Sequence, residues 1–131
     1  MVVEVTRDAF ERLLVEAGSA HPFEACGILL GQDGSIQQTR PVANIHPDPE
    51  GYFEIDPQAL IDAHRAERSG GPQVLGYYHS HPRGPAGPSD TDRQQASGDG
   101  RVWAIVAGGE VRFWRDTPEG FVPLSYMVAG R

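Results

Sequence analysis

The sequence predicts an α/β domain with a mixed, largely hairpin-connected sheet. Helical apolar periodicity marks the first twenty residues and returns after Asp56-Pro57. Short β-branched and aromatic runs fill most of the remainder, bounded by Gly, Asp and Pro turn signals. The 131 residues are 39% hydrophobic and 22% charged, as in a globular domain that buries one core. No repeat, linker or low-complexity segment interrupts the chain, so residues 1–131 are expected to form one domain.

Thr6 is a predicted N-cap for a helix to about Ala17, with Phe10, Leu13, Leu14 and Ala17 on one face. Gly18 and His21-Pro22 are expected to end it. Ala25–Leu30 suits a buried strand, Asp33-Gly34 is a hairpin signal, and Ile36–Ala43 is the partner strand. His46–Gly51 is a loop, and Tyr52–Ile55 is expected to be a short strand. Asp56-Pro57 starts a second helix carrying Leu60, Ile61 and His64, which stops at Ser69-Gly70-Gly71. Gln73–His81 is the next strand, followed by a Pro- and Gly-rich loop to Pro88. Ser89 caps a third helix of about two turns ending near Gly98. Val102–Ala107, Val111–Trp114 and Phe121–Met127 read as strands, the first two joined at Gly108-Gly109.

Composition excludes several functions. The net charge of −7, with eleven arginines and no lysine, argues against non-specific nucleic-acid binding. One cysteine, Cys26, excludes an intrachain disulfide framework and a Cys-rich zinc finger. Neither a membrane-spanning run nor a signal peptide is visible, so a cytoplasmic protein is expected.

Chemistry concentrates between His79 and Asp92. His79 and His81 stand two apart on a strand, so both side chains face one side and can converge on one ion. Pro82 ends that strand, placing the pair at the sheet's end, where a cleft can form. Ser89 and Asp92 fall at the N-cap and third position of the next helix. Alone, Ser-x-x-Asp is a capping box and His-x-His is a weak signal. Together, across a short proline-stiffened loop, they supply two imidazoles and a carboxylate. Three protein ligands leave a fourth zinc position for water, the pattern of a catalytic site. Hydrolysis then needs a base, commonly a carboxylate that is not a ligand.

The series Glu24, His79-Ser80-His81-Pro82 and Ser89-Asp90-Thr91-Asp92 resembles the JAMM motif of the MPN-positive (Mov34/MPN/PAD-1) metallopeptidases. The run Glu24-Ala25-Cys26-Gly27-Ile28-Leu29-Leu30-Gly31 is similar to that family's glutamate-bearing first strand. The resemblance implies an MPN-like domain, a curved mixed sheet flanked by about three helices in a cytidine-deaminase-like layered architecture. It implies one zinc per chain, held by His79, His81 and Asp92. Glu24 would be the general base and acid, and the Ser89 hydroxyl would bond the developing oxyanion. It further implies cleavage of peptide or isopeptide bonds at the tail of a ubiquitin-like protein. The compact chain resembles the small stand-alone prokaryotic members, some of which act on sulfur carriers ending in Gly-Gly. Peptidase action on other short peptides is the alternative substrate reading.

Other residues have plainer readings. Cys26 is expected to be a small core residue, though it shares a face with Glu24. His21, His46 and His64 are possible neighbours of the cleft, and Trp103, Phe113 and Trp114 suit strand core or edge. Ser80 must face away from the histidines and is expected to be structural. A zinc deaminase needs His-x-Glu and Pro-Cys-x-x-Cys, which are absent. A non-catalytic MPN scaffold or a metal-storage module remains the alternative to an enzyme; neither needs the full set of ligands, base and serine.

Overall fold

The computed structural model describes residues 2–130. Ten elements follow one another: β1 (Val2–Thr6), α1 (Arg7–Ala20), β2 (Cys26–Gln32), β3 (Ser35–Val42), α2 (Pro57–Arg68), β4 (Gln73–Ser80), α3 (Asp90–Gln95), β5 (Val102–Ala107), β6 (Glu110–Thr117) and β7 (Gly120–Ala129). The strands close into a barrel in the order β1-β3-β2-β4-β5-β6-β7, with β7 returning parallel to β1. The curved mixed sheet expected from sequence is therefore curled far enough to lose its free edges, the liability that open sheets must otherwise protect.

Period-two alternation divides the side chains between two faces. Val3, Val5, Leu29, Ile36, Tyr78, Ala104, Val106 and Phe113 form the inner cluster, and α1 packs Ala9 and Leu13 into it. Outside, Ile28, Leu30 and Val74 pack against Ala63 and Leu60 of α2. Ile105 and Ala107 meet Ala86 from the Pro-rich loop and Trp114. In the register, His79 lies opposite Cys26 on β2 and Ile105 on β5. The histidines thus belong to the outer face, while Ser80 shares the inner face with Tyr78.

Local chemistry explains where the elements stop. Thr6 caps α1 by accepting from Ala9 N, and Asp56 caps α2 by accepting from Gln58 N. Asp33 (φ 52°) and Gly34 (φ 80°) make the tight turn between β2 and β3, the two-positive-φ geometry that Asp-Gly favours.

Four expectations need adjustment. Val2–Thr6 is a strand that the reading of the sequence left unassigned; it alternates buried Val3 and Val5 with outward residues. Helix α1 continues past Gly18 to Ala20. Tyr52–Ile55 is not a strand: apart from an isolated Asn44–Ile55 bridge, its backbone is held by the Asn44 side chain instead of a ladder. Helix α3 stops at Gln95, well before Gly98, because the buried Asp116 carboxylate captures Ser97 N and Gly98 N, each at 3.1 Å. Among the described residues, no helix is long and apolar enough to cross a membrane.

Candidate metal centre and active site

The end of β4, the segment before β2 and the first turn of α3 meet on the outer face. His79 Nε2 lies 3.1 Å from His81 Nε2 and 3.1 Å from Asp92 Oδ2, and His81 Nε2 lies 3.2 Å from the same oxygen. Zinc bonds of about 2.0–2.1 Å in a tetrahedron require donor–donor edges of about 3.3–3.4 Å, close to this triangle. The donors are sheltered: His79 is 0%, Asp92 4% and His81 9% exposed.

The tautomer of His81 follows from its other nitrogen. Nδ1 lies 2.8 Å from Pro85 O, and a carbonyl only accepts, so Nδ1 carries the proton. Neutral His81 therefore turns an Nε2 lone pair toward the Asp92 oxygen and His79 Nε2. Such a convergence needs positive charge at its centre, supplied by a proton or a metal ion. The Pro85 contact is the outer hydrogen bond that commonly orients a ligating imidazole.

The α3 cap and the donor set share atoms. Ser89 Oγ accepts from Asp92 N at 3.0 Å, and Asp92 Oδ2 accepts from Ser89 N at 2.9 Å. This reciprocal capping box fixes the aspartate's direction, so the cap also aims the carboxylate at the histidines. Ser89 Oγ accepts that bond and, among the described residues, engages no acceptor, so its proton can be donated to a ligand.

Glu24 completes the arrangement. Single ligand atoms from Glu24, His79 and His81 lie within 4.8 Å of one another. The residue is 7% exposed and lines the cavity that also holds His81 and Ser89. Its main chain is tightly held. Glu24 N donates to Pro49 O at 2.8 Å, and Glu24 O accepts from Asn44 Nδ2 at 3.1 Å. Next along the chain, Ala25 N donates to Ser80 Oγ at 2.8 Å, the structural role expected for Ser80.

The electrostatics follow the burial. Burial pushes the Glu24 carboxyl up to about 7; His81 opposes this and the Asp92 charge assists it. Burial also acts to raise Asp92, but the imidazole contacts override it and hold that carboxyl far below the usual range. His79 is lowered by burial, while His81 is raised because Asp92 and Pro85 O outweigh its desolvation.

Among the described residues, buried His79 Nδ1 has no hydrogen-bond partner. Its ring is instead held by packing: Phe53 stacks on it at 4.2 Å and 17°, and Trp103 meets it edge-on at 5.6 Å. Phe53 and Asn44 were not anticipated. Their signal was the segment between β3 and α2, a connection long enough to carry function.

The remaining candidates stand apart. Cys26 is 2% exposed, its Sγ contacts Val42 O at 3.6 Å, and burial with the Glu24 charge pushes the thiol up to about 12. It is a core residue and a poor nucleophile. His46 stacks on Tyr52, His64 lies 3.7 Å from Glu67, and His21 is exposed beyond α1.

Residues 6–117 match the family of prokaryotic homologues of the JAB domain. The chain is 37% identical over 110 residues to a desampylase of Haloferax volcanii, covering 82% of this chain and 79% of that one. It is 34% identical to a probable TtuB-protein conjugate cleaving protease of Thermus thermophilus, covering 73% and 64%. A CysO-cysteine peptidase of Mycobacterium tuberculosis shares 29% identity, covering 81% and 73%. The solution structure of protein DSY2949 from Desulfitobacterium hafniense superposes with a TM-score of 0.87 at 27% identity, covering 99% and 94%. A structure described as a metalloprotease-like zinc site in the proteasome and signalosome shares the fold, with a TM-score of 0.61 at 18% identity and coverage of 97% and 99%. The chain belongs to the family of prokaryotic homologues of the JAB domain and is a metallopeptidase of that family.

Proposed function

We propose that this protein is a zinc-dependent peptidase that cleaves the bond after the Gly-Gly tail of a ubiquitin-like protein of sulfur-carrier type. The observation carrying this reading is the triangle of His79, His81 and Asp92 donors with a Glu24 carboxylate oxygen within 4.8 Å of both histidines' ligand atoms. Support for the substrate comes from relatives named for desampylation, TtuB-conjugate cleavage and CysO-cysteine hydrolysis. His79, His81 and Asp92 would hold the zinc. When bound, zinc supplies Lewis acidity and lowers the pKa of water to about 7.

The protein's own groups do the rest. Glu24 takes the proton released by the attacking water and returns it to the departing nitrogen, a task open to a carboxylate beside the donor triangle but outside it. The free Ser89 proton bonds the oxygen that gains charge as the carbonyl is attacked. His81, fixed by Pro85 O, and Asp92, fixed by the capping box, keep the donor set in place without rearrangement.

The test uses purified protein with metal analysis and a Gly-Gly-ended carrier conjugate. About one zinc per chain and hydrolysis abolished by Glu24→Gln are expected. Metal-loaded protein that leaves every such conjugate intact would sink the reading.

A further inference from the structure

Glu24 lines two cavities rather than one. The smaller, about 390 Å³, also contains His81, Ser89, Gly51 and Gly87. The larger, about 560 Å³, lies between the C-terminal part of α1 and the end of β3, and shares only Glu24 with the catalytic set. Its walls include Ala20, Phe23, Pro41 and Val42, with Glu16 as a second carboxylate. Among the described residues, no arginine or histidine lines it.

Accepting the hydrolytic reading above, we propose that the larger cavity is the subsite for the departing amine, and that Glu16 selects against amines carrying a free carboxylate. The oxyanion must reach Ser89, which assigns the acyl tail to the smaller cavity. The proton must reach nitrogen from Glu24, so the departing group lies on that residue's other side. Hydrolysis breaks the C–N bond, the acyl carbon takes the hydroxyl, and nitrogen takes the proton.

The two kinds of departing amine differ next to that nitrogen. A single amino acid carries its carboxylate two bonds away, inside a cavity lined by Glu16 and Glu24 and, among the described residues, by no cation. A lysine side chain presents methylenes there, which the apolar walls accept. Glu24, only 7% exposed, lines both cavities and so stands where they meet. The inference separates protein conjugates from single-residue adducts, both of which occur among the relatives' names.

The experiment uses zinc-loaded enzyme and one Gly-Gly-ended carrier in two forms, extended by alanine or by alaninamide. The alaninamide form is expected to show kcat/KM about tenfold higher, the scale of a close like-charge contact at partial screening. Glu16→Gln is expected to shrink this ratio several-fold and Glu16→Arg to reverse it. Equal cleavage of the two forms, or a ratio unmoved by both variants, overturns the subsite while leaving the peptidase intact. Failure to cleave either form or a lysine isopeptide conjugate overturns the peptidase reading, and the subsite with it.

Discussion

The side-chain amide of Asn44 ties the main chain of Glu24 to the loop that walls the cleft. Nδ2 donates to Glu24 O at 3.1 Å and Tyr52 O at 3.0 Å; Oδ1 accepts from His46 N at 3.1 Å and Glu54 N at 3.0 Å. A primary amide offers two N–H groups and one doubly accepting oxygen, so its full capacity is used. Asn44→Asp keeps the shape but turns a carboxylate oxygen toward two carbonyls. It is expected to lower stability by about 2–3 kcal/mol and kcat by at least about tenfold, with metal content unchanged. Full kcat in a folded Asn44→Asp protein would show that Glu24 is held by other means.

Metal content should separate ligands from base. His79→Ala and Asp92→Ala each remove a corner of the donor triangle and are expected to lose stoichiometric zinc. Glu24→Gln should retain it and lose hydrolysis. Zinc should also raise the Tm of the unmodified protein by mass action, because the three donors converge only when folded. Calorimetry with and without chelator measures this, and equal zinc retention by Asp92→Ala would remove Asp92 from the ligand set.

Glu24 gives the metal-free protein a defined pH dependence. Its carboxyl has an ordinary value of 4.5 and about 7 when folded, so the folded state retains the proton more strongly. The resulting stability is fully present below the unfolded value and is lost as pH rises through the folded one. Glu24→Gln, which cannot ionise, should match wild type near pH 4 and exceed it by about 2 kcal/mol near pH 8. Denaturant titrations of chelated protein test the sign; a variant less stable at the higher pH would contradict the burial argument.

The sequence made the site more legible than the scaffold that holds it. His79 and His81 were readable because strand periodicity alone puts them on one face. Ser89 and Asp92 were readable because a capping box has a fixed spacing. Asn44 and Phe53 were not, since their roles depend on a loop folding back over β2 and β4, which no local period encodes. The same holds for Tyr52–Ile55, whose strand-like composition lost to hydrogen bonds from the Asn44 side chain. Asp116 shortened α3 from eighteen positions beyond Gly98, a non-local contact invisible in propensity. Barrel closure was likewise hidden, because it depends on β7 reaching β1 across the whole chain.

Two glycines give opposite predictions from one substitution. Gly76 sits opposite Val102 in the β4–β5 pairing, three residues before His79, and a Cβ there would lie 1.7 Å from Val102 O. A main-chain carbonyl in a ladder cannot step aside without breaking the pairing. Gly76→Ala should therefore cost more than about 3 kcal/mol, and any folded fraction should bind zinc more weakly as the end of β4 shifts. Gly18 lies within α1, where a Cβ would meet nothing within 4 Å. There alanine removes unfolded-chain freedom and improves helix propensity, so Gly18→Ala should add about 0.5–1 kcal/mol. Paired unfolding curves read both effects; a well-tolerated Gly76→Ala would mean that β4 and β5 are not packed at the register described, and the placement of His79 would fall with it.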